Sequence, residues 1–480
     1  MKRKSESQIL ARRHHKRRDA RIAETRLIQG ILDSDEFTAL ANEALALSPD
    51  DAATGRPGQQ SVVANMFFLA LIPVYTSARK VQVELRAGRR WAHYRRQLEQ
   101  RFPDDHRLRF APVPNPTSVL RLRKKVLRPH LQRLHAIARI AAIETAARCG
   151  IGCGTGTLLE PAINDTIISD GTVLAATSKY TPGMKAWCET HQVFHDRRAD
   201  PDATYNTTGG GDKVYGNKFV VTSATTGNPN EIFILDIVPV SKTKGTDSEI
   251  ASLFTSLPTI LDQLPGMQGL VYDKALRGRD VTKVHDLGLH PIVPVYDKSG
   301  KTTEVVHIDQ QNFKLTDGTK KAIDVFAKGG HAMIRGLAAG DDHWIQLHAT
   351  KITHHPNADG TPRVYTHYRI PTGSPCQPSW WGATCEIRMN PTGTDGVDRG
   401  EHLRALAPAD DRYPDIYNRR QMAESLNSWI KARLPGRRAR SYGQDNQHLD
   451  LLFMGIARNT MSALHHRDRN AQAPPGITAA

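Results

Sequence analysis

The stretch Tyr417-Asn-Arg-Arg-Gln-Met-Ala-Glu-Ser-Leu-Asn-Ser-Trp-Ile-Lys431 constrains the fold more than any other. At about 100° per residue, Tyr417, Arg420, Glu424 and Lys431 fall within about 60° of one another on a helical wheel. Met422, Leu426, Trp429 and Ile430 gather on the opposite side. A helix of this kind buries its second face in a core and holds its four long polar side chains over something else. Asp415 is the expected N-cap, Pro414 the entry and Pro435-Gly436 the stop. A carboxylate can ligate a divalent cation, and Arg and Lys can hold phosphate oxygens, so the stripe suits phosphodiester chemistry. The plainer reading is a solvated face on which Arg420 and Glu424 form an ordinary i,i+4 pair.

The 480 residues leave room for roughly two to four domains and a substantial core. A net charge of +16 and a pI near 9.7 point to a polyanionic partner. Cys149, Cys153, Cys188, Cys376 and Cys385 are few and odd in number, which fits a reducing compartment. The basic first residues lead into no apolar signal region. The most apolar run, Val62 to Tyr75, is too short for a membrane span and contains Asn65 and Pro73, so it reads as a buried helix. The expected setting is the cytoplasm, with no membrane partner.

Taken in order, residues 1–21 form a basic arm, expected to be flexible and to track phosphates. Residues 22–160 read as a helical DNA-binding region. It begins with a helix over 22–47, passes through a polar link and carries two basic groups, Arg79 to Arg96 and Arg121 to Arg133. Its last part, CGIGCGTGTLLE, lacks the Lys-Ser/Thr of a phosphate-binding loop and reads as a flexible linker. Residues 161–299 look like the first part of an α/β core. Thr166–Leu174 is an apolar strand with Asp170 in its middle, where an unpaired carboxylate is costly. Val214–Val221 and Glu231–Val238 are two more strands, with the turn Thr226–Asn230 between them. An amphipathic helix over Asp247–Leu261 comes next, then an apolar strand ending at Asp273, a helix over Arg279–Leu287 and a strand His290–Tyr296. Strand ends of this kind are where α/β sheets collect ligands.

Residues 300–410 read as a β-rich insertion, with strands at Glu304–Ile308, Ala322–Phe326, His343–His348, Val364–Ile370 and Thr384–Met389 and a hairpin turn at Asn357–Gly360. Its His residues with Cys376 and Cys385 lack finger or ribbon spacing, so zinc is disfavoured. The core resumes at 411–440 with the striped helix. Residues 441–480 supply a C-terminal helix, Gln444 to His466, and a disordered tail.

Tyr-x2-Arg-x3-Glu-x6-Lys, here Tyr417, Arg420, Glu424 and Lys431, resembles the signature of a large class of bacterial insertion-sequence transposases. These are DDE enzymes, in which two Asp and one Glu bind two metal ions on an RNase-H-like fold. The resemblance implies an RNase-H-like mixed sheet flanked by helices, interrupted by a β insertion and preceded by the helical basic region. It implies Asp170, Asp273 and Glu424 as catalytic and metal-binding residues, with two Mg²⁺ ions for which Mn²⁺ substitutes. Tyr417, Arg420 and Lys431 would contact DNA, as would Lys218, in a Tyr215-Gly-Asn-Lys218 step similar to one on the second strand of these enzymes. Trp380-Trp381 would be placed to stack on a displaced base. The implied partners are double-stranded DNA, at the element's ends and at the target, and a second copy of the chain in a homodimer, at the bacterial nucleoid. The residues after Asp273 depart from the class's commonest form. Two alternatives stay open, a non-catalytic DNA-binding descendant and a metal-dependent nuclease that cuts without joining.

Overall fold

The computed structural model describes residues 6–48, 61–190, 192–196, 198–207, 211–241, 249–295, 304–336, 343–356, 358, 362–389 and 397–472. The turn expected at Asn357–Gly360 and the last residues of the tail fall largely outside these. The chain is a mixed α/β protein. Helices α1 (Glu6–Asp33), α2 (Asp35–Ala46), α3 (Val62–Tyr75), α4 (Ala78–Arg86), α5 (Arg90–Arg101), α6 (Pro116–Leu122) and α7 (Leu131–Arg148) come first. Residues 6–21 of the expected arm lie in α1, and the expected helix over 22–47 breaks at Ser34. The Ser34 hydroxyl accepts a hydrogen bond from the Phe37 amide, so the serine caps a new helix in place of extending the old one.

Ser61 caps α3 in the same way, and Asp105 accepts hydrogen bonds from the Ser61 hydroxyl and the Val63 amide. α3 is buried almost all round, at the centre of a core with Ile28, Phe37, Leu98 and Leu127. Among the described residues no single helix is long and apolar enough to cross a membrane, and α3 with α4 qualifies only as a pair bent by 109°. Arg79, Lys80, Arg86, Arg89, Arg96, Arg121, Lys124 and Lys125 are exposed, whereas Arg123 turns inward to Asp450 at 2.7 Å.

The glycine-rich stretch after α7 is neither a free linker nor an open phosphate site. The amides of Gly154, Thr155 and Gly156 donate to the carboxylate of buried Asp165. Gly150, Gly152 and Gly154 supply the positive φ that this tight wrap requires.

β1 (Thr166–Ala175) leads into a separate hairpin, β2 (Lys185–Cys188) and β3 (Val193–Asp196). β4 (Thr204–Thr207), β5 (Lys213–Thr225), β6 (Ile232–Pro239), α8 (Glu249–Gln263), β7 (Gly269–Val271), α9 (Arg279–Asp286) and β8 (His290–Ile292) complete the first unit. The sheet runs β6-β5-β1-β7-β8, with β4 beside the start of β5. β6, β5 and β1 are antiparallel neighbours; β1, β7 and β8 run parallel. β8 stops at Ile292, short of the expected Tyr296, with Pro294 just beyond.

The insertion is a second sheet of seven strands, β9 (Val306–Lys314), β10 (Lys320–Lys328), β11 (His331–Arg335), β12 (Trp344–Gln346), β13 (His348–Pro356), β14 (Pro362–Arg369) and β15 (Thr384–Arg388), in the order β12-β11-β10-β9-β15-β14-β13. Its core shares Val271 and Ile292 with the first sheet, so the two are fused along β7 and β8.

The chain then returns through α10 (Arg399–His402), α11 (Tyr413–Tyr417), α12 (Arg420–Ala432) and α13 (Gln444–Gln472). α13 runs past His466 into the expected tail. It closes the free edge of β6: Asn459 donates to the Ile234 carbonyl and accepts from its amide, and Arg458 and Ser462 both donate to the Ile232 carbonyl. An edge strand's unpaired backbone groups are thereby satisfied by side chains.

Candidate functional site

The striped segment is two helices. Pro414 sits at the start of α11, which places Asp415 inside that helix and not at a cap. Asn418 and Arg419 form a turn that keeps αR geometry, so the stripe carries through the break. α12 ends at Ala432, ahead of Pro435-Gly436 as expected. Its apolar side packs as the wheel requires: Leu426 and Ile430 are buried with Leu174, Phe219 and Val221, and Met422 and Trp429 flank them. Arg419 pins the start of α12 to the root of β1 through the carbonyls of Pro161 and Ala162, at 2.8 and 3.1 Å, and the Thr166 hydroxyl.

That anchor lays α12 across Asp170. Asp170 pairs in the ladder with Val221 and turns its carboxylate to the helix. Asn427 donates to one oxygen at 2.9 Å, and Arg420 lies 3.5 Å from the other. The same guanidinium holds Glu424 at 2.7 Å, so one planar fork spans both carboxylates. Burial pushes the Asp170 carboxyl up to about 6; Glu249 and Asp273 add to that rise, and Arg420 opposes it.

Asp273 lies two residues beyond β7 and accepts a hydrogen bond from the Ala275 amide at 2.8 Å. It acts electrostatically on Asp170, Tyr417 and Arg420. Tyr417 stacks on Tyr413 with ring centroids 4.9 Å apart, and burial raises its phenol, with Asp273, Glu424 and Asp170 adding to the rise. Burial lowers the Lys431 ammonium, and Asp170 pulls it back. Six of the seven residues singled out in the sequence thus converge: Asp170, Asp273, Tyr417, Arg420, Glu424 and Lys431.

Lys218 is linked to the cluster through Glu249. It lies on β5, an interior strand, and its ammonium is paired with Glu249. Glu249 and Asn427 are the residues the sequence reading missed. The Glu249 carboxylate also accepts from the Tyr272 hydroxyl, and it lies against the backbone of Gly171, so a side chain there would overlap it. Glu249 therefore touches the neighbours in sequence of both aspartates. Asn427 falls about 20° from Arg420 on the same wheel, a signal that was present but carried no charge.

Among the described residues, no three His, Cys, Asp or Glu side chains stand in a geometry that would hold a metal ion. Between Asp170 and Glu424 the positive charge is Arg420's own. The donor chemistry still suits a hard divalent cation: carboxylate oxygens on β1, beyond β7 and on α12, with Asp170 burdened by burial and by its acidic neighbours. In the insertion, Cys385 is buried and its thiol is pushed up to about 12, chiefly by burial. Trp380 is buried, and the half-exposed Trp381 donates its indole N–H to the Ser374 carbonyl.

Compared with known proteins, the chain matches no family model and no curated protein.

Proposed function

We propose that this chain is a DDE-type DNA transposase that cuts at the ends of an insertion element and joins them to target DNA. One observation carries the reading: the carboxylates of Asp170 and Glu424 share the guanidinium of Arg420, and Asp273 acts on it electrostatically. The sheet supports an RNase-H-like core, because three antiparallel strands are followed by two parallel ones in the order β6-β5-β1-β7-β8. A β insertion, here of seven strands, lies between Asp273 and Glu424, where members of the class that the Tyr-Arg-Glu-Lys spacing resembles commonly carry one.

Asp170, Asp273 and Glu424 would hold two Mg²⁺ ions, or Mn²⁺ in their place. When bound, such ions polarise a phosphodiester and lower the pKa of water or of a DNA 3′-hydroxyl. The chain's own groups do the rest. Arg420 and Lys431 hold phosphate oxygens, Tyr417 sets the strand against the acidic cluster, and Asn427 fixes the rotamer of Asp170. Double-stranded DNA is the substrate, two copies of the chain act on two ends, and the bacterial cytoplasm is the setting. The exposed arginines and lysines of α4 to α6 would track the duplex outside the cut.

Cleavage and strand transfer with Mg²⁺ or Mn²⁺, on DNA from the two sides of the gene, test this. Asp170→Asn, Asp273→Asn and Glu424→Gln are each expected to lower cleavage by at least about a thousandfold while DNA binding stays within about threefold of the parent. Full strand transfer by any one of them sinks the assignment. Cleavage without joining by the parent would favour a nuclease.

A further inference from the structure

Among the described residues, β2 and β3 pair only with each other. Their register sets Trp187 opposite Phe194, on the same face as Lys185. The two rings meet edge to face, with centroids 5.2 Å apart and planes at 64°, so ring face is left open. Trp187 keeps 45% of its surface exposed and Phe194 63%. Eleven large hydrophobic side chains are exposed among the described residues, and Met184, Trp187, Val193 and Phe194 all fall on this hairpin or at its approach. Trp187 and Phe194 form the apolar patch on one face of the hairpin, and two large exposed rings side by side on a folded chain mark something that covers them.

Charge narrows the partner. Lys179 and Lys185 are exposed before and on the first arm of the hairpin and Arg198 follows its second, against one exposed acidic side chain among the described residues here, Glu189 at the turn. At the root, Arg438 donates to the Ser178 carbonyl at 2.7 Å. Exposed Arg437 acts on Lys431, which in turn feels Asp170. A basic path therefore links the acidic cluster to the base of the hairpin. A second copy of the chain docked there would bring like charges together. A nucleic-acid strand answers both the charge and the open ring faces. In an intact duplex the base faces are already stacked on one another, so the matching ligand is DNA with unpaired bases. The geometry points to the Trp187–Phe194 hairpin as a stacking platform for unpaired nucleobases of the DNA substrate, an inference that rests on the DNA reading above.

The test titrates the full chain and the double variant Trp187→Ala/Phe194→Ala against a labelled duplex and against the same duplex ending in a single-stranded fork, at several salt concentrations. The parent is expected to prefer the fork by about tenfold or more. The double variant should bind fork and duplex alike, with an unchanged salt slope, because no charge is removed. Lys185→Gln should keep the fork preference and lower the slope by about one. The substituted side chains are exposed, so melting temperature should hold. An undiminished fork preference in the double variant overturns the inference. So does a change of oligomeric state with fork binding intact, because the rings would then meet a second copy. If the parent binds neither DNA, the DNA reading itself fails and takes the hairpin with it.

Discussion

Arg420 lies between Asp170 and Glu424, where a cation is wanted whether or not an ion is bound. Its own charge is held up by Asp170, Tyr417, Glu424 and Asp273, against the opposing pull of burial. Without it, Asp170 would face Glu249 and Asp273 with the Asn427 amide and the Lys431 ammonium for support. Arg420→Ala is therefore expected to destabilise the free protein by about 1–2 kcal/mol, the scale of a partly buried charged contact. Millimolar Mg²⁺ should restore more of that loss in the variant than it adds to the parent, because ion and guanidinium neutralise the same carboxylates. Thermal melts with and without Mg²⁺ decide it, and an equal Mg²⁺ response in the two proteins would count against a metal site at Asp170.

At the scale of elements, the site is a crossing of β1 by α12, backed by the start of α8. Gly171 makes room for the start of α8, because a methyl group at that position would run into the Glu249 carboxylate. Gly171→Ala is expected to displace Glu249, break its links to Lys218 and Tyr272, and lower stability by about 1–3 kcal/mol. Denaturant unfolding measures that loss, and Gly171→Ala/Glu249→Ala should recover part of it. Much of this arrangement was legible in the sequence. Asp170 stood out inside an apolar strand, Asp273 at the end of one, and Glu424 on a stripe, and each signal is local in the chain. Glu249 was not legible, because its importance comes from an approach to Gly171 across the sheet. The break before α12 was missed because Pro414 starts one short helix and leaves Arg419 to open the next. β11 and β13 were missed for different reasons: the first is five residues long, and the second is an edge strand with polar His348, Thr350, Lys351 and His355 along it.

At the scale of the whole molecule, α2, α7, β6 and α13 meet around Glu36, which is buried beside His135, Asp236 and Asn459. Burial raises its carboxyl from 4.5 to about 8, against the pull of Asn459, Thr145 and Arg148. Between those two values the folded chain keeps a proton that the unfolded chain releases, so this group's contribution to stability falls as pH rises through that window. Glu36→Gln should flatten the fall and raise the melting temperature near pH 8, while leaving it nearly unchanged near pH 4.5. Parallel melting curves for parent and variant across that range would refute the assignment. The helix that seals this junction has a further consequence. α13 packs on α1, α3 and α7 as well as on β6, yet it follows all of them in the chain. During synthesis, the first helices and the exposed edge of β6 have to wait, apolar faces open, until residues 444–472 leave the ribosome. Nascent chains stalled before residue 444 should therefore depend on chaperones and be cut readily by protease, and released chains that include residues 444–472 should not.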